Sequence, residues 1–387
     1  MTESFIAYTD RADSAAAGGI LGEEIARALP GASPDAVIVF ASSRHDYPPL
    51  LHALAAACRP GEIVGASSAG EFTKAHHGEG MACAIALRSP EMRFSAGMAR
   101  GLRTDRRAAA RELVASFRGT ERHDYLYRSA LVLTDALAGF ADELVEQMTV
   151  LTGGTYQLFG GGAGDDARFE RTHVFRGTEA ATDAAVALEI LSNKPLGIGV
   201  AHGWQPASAP MRVTEADGMR LVSMNAIPAV EVFAEYAEAT GQRFDRADPV
   251  PFFLHNILGI ETDDGYKLRV PLGIEPDGTV ACAADIPIGA VVCIMRASVA
   301  SAADAATRAT TAALEQLHGL QPRVALFFDC VATRLRTGRD FGIELRALGD
   351  ALGSADFAGC NTYGQIARAD GQFSGFHNCT AVVCAIP

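Results

Sequence analysis

Three Gly-rich turns, each led in by an apolar strand, constrain this chain more than any other feature. They are Gly65-Ala66-Ser67-Ser68-Ala69-Gly70-Glu71-Phe72, the looser Gly160-Gly161-Gly162-Ala163-Gly164-Asp165, and Gly359-Cys360-Asn361-Thr362-Tyr363-Gly364-Gln365-Ile366. The same series runs ahead of each: a continuous apolar strand, a polar break, a helix, then a second strand. Val37-Ile38-Val39-Phe40, Ala130-Leu131-Val132-Leu133 and Val324-Ala325-Leu326-Phe327-Phe328 show no polar alternation, as expected of strands covered on both faces. The pattern predicts an α/β fold with mixed β-sheets and outer helices, built from about three repeated strand–helix–strand–turn–strand units. Turns at the same end of equivalent strands should converge, and glycines would let their backbone N–H groups approach a ligand.

Local signals fill in the rest. Ser14 is placed to cap a first helix and Ser301 a later one. Residues 172–175 and 184–191 look like a strand pair. Pro206 and Pro210 suggest a boundary between domains 1–208 and 209–387, and Asp263-Asp264-Gly265 and Pro276-Asp277-Gly278 mark turns between strands in the second.

A net charge of −13 works against non-specific binding to nucleic acid or to an anionic membrane. The first eight residues carry no basic region followed by an apolar run, and no run approaches a membrane span, so a cytoplasmic location is expected. Eight cysteines are present without a Cys-x-x-Cys pair, which leaves neither a zinc knuckle nor covalent haem. Most are expected to pack as small reduced hydrophobes.

No catalytic motif is complete. In Gly65–Ala69 an alanine stands where a hydrolase elbow needs its second glycine. Gly160–Gly164 is not followed by a helix that could hold a pyrophosphate. Cys330 ends a buried strand as a pocket-wall thiol, a nucleophile or a packed thiol. The adjacent Asp329 works against a thiolate. His377-Asn378 could bind a ligand, ligate haem iron or orient a loop, with His202 and His255 weaker haem candidates. His76-His77 read as exposed loop residues.

The order of Ile63–Glu71, Gly161–Asp165, Gly203-Trp204-Gln205-Pro206, Asp285–Gly289, Phe328-Asp329-Cys330, Glu344, Tyr363–Ile366 and Phe376–Thr380 resembles the FIST family over nearly the whole chain. The resemblance implies a non-catalytic sensor of a small ligand, with amino acids proposed as ligands. One branch implies a haem cofactor that detects nitric oxide, and a histidine kinase or cyclic-di-nucleotide enzyme as partner. It points to Cys330, Glu344, Asn361, Tyr363, Gln365, His377 and Asn378 as ligand-binding residues, with Glu71 and Asp165 added. Three positions depart from the family: Gln365 replaces a glutamate, Asn225-Ala226 replace Asp-Gly, and the arginine after Cys330 is displaced, with Arg334 nearest. A cysteine-dependent enzyme and a protein–protein adaptor stand as alternatives.

Overall fold

The apolar run at Val37 becomes the strand Ala36–Ser42, buried along its whole length. It pairs in parallel with Glu62–Ser68 and antiparallel with Ala82–Arg88, while Glu3–Thr9 closes the outer edge. Alternation sorts its side chains. Val37, Val39 and Ala41 meet Leu21, Ile25, Leu50 and Leu54 of two covering helices, Ser14–Ala28 and Tyr47–Cys58. Ile38 and Phe40 point the other way, into a core shared with two further sheets. These features belong to a computed structural model that describes residues 2–121, 124–263, 265–368 and 375–387. Asp264, in one of the expected turns, lies outside the described residues.

The second and third sheets follow the same order. In the second, Tyr127–Thr134 lies between the parallel Gln157–Gly162 and the antiparallel Ala184–Ser192, with Met92–Arg100 beyond. In the third, Val324–Cys330 lies between the parallel Asp356–Thr362 and the antiparallel Ala381–Ile386, with Gly197–Ala201 beyond. Each has its own helix pair outside: Arg106–Ala115 with Ala141–Leu151, and Val299–Glu315 with Phe341–Leu352. The inner faces of all three sheets meet in one core containing Phe40, Leu131, Phe159, Leu326 and Phe328.

What joins the sheets is an exchange of short strands. Glu71–Thr73 and His77–Gly78 follow the first sheet in sequence but extend the third, on Asp356–Thr362. Val174–Arg176 and Glu179–Ala181 follow the second sheet but extend the first, on Glu62–Ser68. Gln365–Arg368 and Gly375–His377 follow the third sheet but extend the second, on Gln157–Gly162. This corrects one expectation. Residues 174–176 pair with the first sheet, while Ala184–Ser192 pairs with Met92–Arg100 and Tyr127–Thr134.

A fourth sheet of nine strands, all within residues 205–296, is inserted between Gly197–Ala201 and Val299–Glu315. Helix Ala229–Ala239 packs on it through Val230, Val232 and Phe233. Among the described residues no helix is long and apolar enough to cross a membrane.

Two helix starts differ from expectation by one cap each. Asp13, not Ser14, accepts the Ala16 N–H at 2.7 Å, while the Ser14 hydroxyl accepts from Asp46 N at 2.9 Å. Ser298, not Ser301, caps Val299–Glu315, and Ser301 closes the reciprocal capping box three residues in.

Candidate functional site

The three Gly-rich turns do converge, and they close on one another. Ala69 N donates to Asn361 O at 2.9 Å and Asn361 N to Gly70 O at 2.8 Å. Gly164 N donates to Ser67 O at 2.9 Å, and Tyr363 N to Gly162 O at 2.9 Å. The glycines serve this contact. A Cβ on Gly161 would lie 2.8 Å from Gly364 O, and one on Gly164 would lie 2.7 Å from Ala69 N. Backbone therefore fills the space where the glycine pattern suggested a ligand.

Beside this junction, at the end of Val324–Cys330, polar groups surround a small cavity of about 10 Å³. Its walls include Trp204, Asp329, Arg336, Glu344 and Cys379. Each arrives there for a local reason. Asp329 shares the strand face of Phe327, which looks toward the covering helices. Glu344 lies between Phe341 and Leu348, three and four residues away on the apolar stripe of Phe341–Leu352, and is therefore turned inward. It is 3% exposed and Asp329 is 1% exposed. Arg336 lies over the Trp204 ring at 5.2 Å and donates to Ala297 O at 3.2 Å.

The surrounding network is only partly paired. Asn361 Nδ2 donates to Asp329 Oδ2 at 3.3 Å, Gln365 Nε2 to Thr362 Oγ1 at 2.8 Å, and Thr380 N to Gln365 Oε1 at 3.2 Å. Glu344 Oε2, Arg336 Nε, Asn361 Oδ1 and Asn378 Oδ1 are buried without a hydrogen bond. Burial drives the Asp329 carboxyl well above its usual range, and the nearby Glu344 adds to the shift. Burial also raises Glu344, to about 8, against the pull of Arg336.

Cys330 is the exception among eight buried thiols. Its sulfur lies near the Cys379 thiol, the Cys379 and Ala332 N–H groups and the Gln365 amide. These donors outweigh burial and pull Cys330 down to about 6. The sequence reading weighed only Asp329 and had no means of placing Cys379.

Five of the named residues thus gather at the third sheet's end: Cys330, Glu344, Asn361, Gln365 and Asn378. His377 pairs with Gln365 across a hairpin, and burial, then Lys267 and Arg269, push its imidazole down to about 3. Tyr363 and Asp165 meet elsewhere. The Tyr363 hydroxyl donates to Asp165, which also accepts the N–H groups of Phe169, Glu170 and Arg171, and the Tyr363 ring stacks on Phe169 at 4.3 Å. Glu71 lies behind the cluster. It accepts from the Ser68 hydroxyl and from Met81 N, and burial raises it to about 8.

Asp329, Arg336, Cys379 and Trp204 were not among the ligand-binding residues expected from sequence. The displaced arginine shows why. Residues 331–337 form a short helix, so Arg334 and Arg336 diverge. Arg334 pairs with Glu79 and Arg336 turns to the cavity.

The FIST N domain profile matches residues 35–227 and the FIST C domain profile matches 229–368. The chain belongs to the FIST family. No curated protein matches this FIST chain. Among solved structures, the cyanuric acid hydrolase from A. caulinodans shares 9% identity over all of both chains, with a TM-score of 0.33. T. maritima PurL complexed with AMPPCP shares 13% identity over 99% of this chain and 72% of that one, with a TM-score of 0.21. Neither likeness is close enough to inform the site.

The buried carboxyls give the FIST chain a distinctive pH response. Glu71 and Glu344 keep their protons to about pH 8 when folded and release them near 4.5 when unfolded. Between those values the folded state binds more protons, so their contribution to stability is present below 4.5 and is lost as pH rises toward 8. The melting temperature of the wild type should therefore fall between pH 5 and 8 relative to a Glu71→Gln/Glu344→Gln variant. Parallel melting curves of the two proteins across that range would refute the assignment.

Proposed function

We propose that this FIST chain is a sensory module that takes a small polar molecule, such as an amino acid, beside Glu344 and reports it to a partner. The observation that carries the reading is the collection of unpaired polar atoms around Asp329. Each buried polar atom left unpaired costs about 1–3 kcal/mol, so such atoms are rare in native proteins. Here Glu344 Oε2 and Arg336 Nε, both unpaired, belong to the wall of one cavity, Asn361 bonds Asp329 in that wall, and Asn378 precedes its Cys379. An ammonium group would satisfy the Glu344 carboxyl, and a carboxylate would satisfy Arg336.

The space as it stands, about 10 Å³, holds roughly one water. A metabolite enters only if a wall moves, which ties occupancy to conformation, the requirement for a sensor. A histidine kinase or cyclic-di-nucleotide enzyme would read that change.

Haem fits the histidines poorly. His202 uses both ring nitrogens, one with Tyr266 O at 3.0 Å and one with Trp204 N at 3.3 Å. His377 is buried and does not line the small cavity, which is itself far too small for a porphyrin. His255 is exposed on a separate cleft with Arg243, Asp245 and Asp248.

A thermal-shift screen of amino acids and related polar metabolites tests the proposal. A true ligand at 100 times its Kd adds about 2.7 kcal/mol of stability, which raises the melting temperature by several degrees. A set in which no compound shifts the wild type would count against the reading.

A further inference from the structure

A larger cleft, of about 470 Å³, lies between Ser43, the start of the helix Tyr47–Cys58 and the 165–173 loop. Its volume is in the usual range for small-molecule sites, about 300–1,000 Å³. We propose that it is a second binding site, separate from the Glu344 cavity, for a small organic or inorganic oxyanion carrying a carboxylate or phosphate group.

The loop is rigidly built. Asp165 holds the N–H groups of Phe169, Glu170 and Arg171 at 2.7–2.8 Å. Asp166 Oδ2 accepts the Ser42 hydroxyl at 2.7 Å and the Ser43 N–H and hydroxyl at 2.9 and 2.5 Å. These bonds hold Asp166, Ala167 and Phe169 in left-handed backbone, at φ 56, 63 and 57. Non-glycine residues keep that conformation only where their surroundings enforce it.

The effect is to carry Arg168 and Arg171 to the rim of the cleft. Neither guanidinium has a carboxylate partner among the described residues, whereas Arg100 on the same rim is paired with Glu179. The walls add unsatisfied groups. His45 is 5% exposed and its Nε2 makes no hydrogen bond, with the Met81 carbonyl near but outside bonding geometry. His173 Nδ1 is likewise unpaired, its ring tilted against Tyr47 at 5.0 Å.

Two free guanidinium forks above a wall of imidazoles suit an oxyanion, which can take paired N–H bonds from each. Asp165 does not oppose it, because the backbone N–H groups and Tyr363 already occupy its oxygens. Asp46 and Glu170 on the rim keep the lining near neutral overall, which favours a small anion over a polyanion.

The test is calorimetric titration of the full chain with succinate and, separately, inorganic phosphate, at matched ionic strength. Saturable binding of at least one probe is expected, and which one binds identifies the preferred group. An Arg168→Gln/Arg171→Gln variant should bind at least about tenfold more weakly, a loss of about 1.4 kcal/mol. Both side chains are exposed, so its unfolding midpoint should stay that of the wild type. A Glu344→Gln variant should bind these probes normally, which separates this site from the cavity beside Glu344. Absence of saturable binding for both probes, undiminished binding by the double arginine variant, or loss of binding in Glu344→Gln would overturn the proposal.

Discussion

Expressed apart, residues 1–208 and 209–387 are expected to yield two chains that do not unfold cooperatively, and to regain a cooperative transition when mixed. The reason is the strand exchange. The first half supplies Gly197–Ala201 and Glu71–Thr73 to the third sheet, on opposite sides of Val324–Cys330. The second half supplies Gln365–Arg368 to the second sheet. Separation leaves Ala381–Ile386, Asp356–Thr362 and Gln157–Gly162 with unpaired backbone edges, and it splits the inner core that Phe40, Phe159 and Phe328 build together. Far-UV circular dichroism and urea unfolding of each half, alone and mixed, would check this. A sharp transition in either isolated half would show that the exchange is dispensable.

The second large effect is expected at Asp142. This residue, in the first turn of Ala141–Leu151, receives Arg269 Nη2 at 2.8 Å, Lys267 Nζ at 2.8 Å and Phe376 N at 2.9 Å. Burial alone would raise its carboxyl, but Arg269 and Lys267 hold it below the usual range. Arg269 is 2% exposed. Asp142→Ala would leave that guanidinium buried with only the Asp285 and Leu268 carbonyls, and Phe376 N without an acceptor. Removing one partner of a buried pair typically destabilises by about 3–5 kcal/mol. The exposed pair Arg308–Asp304 gives the contrast, since its loss should cost less than about 1 kcal/mol. Urea denaturation of Asp142→Ala and Asp304→Ala measures both. Equal midpoints for the two variants would contradict the ranking.

The sequence disclosed what is local and concealed what is not. Continuous apolar strands at Val37, Ala130 and Val324 announce themselves, because burial on both faces removes polar alternation. Their helices are marked by apolar spacing and glycine stops. The destinations of Glu71–Thr73, Val174–Arg176 and Gln365–Arg368 are not marked, because a short strand carries no record of which edge it will meet. The same limit governs the site. Glu344 was legible through its family position, while its turn inward toward the core shows only in the folded helix. Cys379 was not, because only the folded turn brings its thiol against Cys330. Arg336 was missed for a narrower reason: a seven-residue helix after Cys330 sets the phase that separates it from Arg334. The glycines were read correctly as points of close approach, but the approaching group is another turn.

The proposed sensing role rests on the unsatisfied polar groups beside Glu344. Its most direct test is calorimetric titration of the tightest hit from the thermal screen into wild type and into a Glu344→Ala/Asn378→Ala variant. The account predicts saturable one-to-one binding by the wild type, weakened at least about tenfold in the variant. Equal affinity in the two proteins would contradict it.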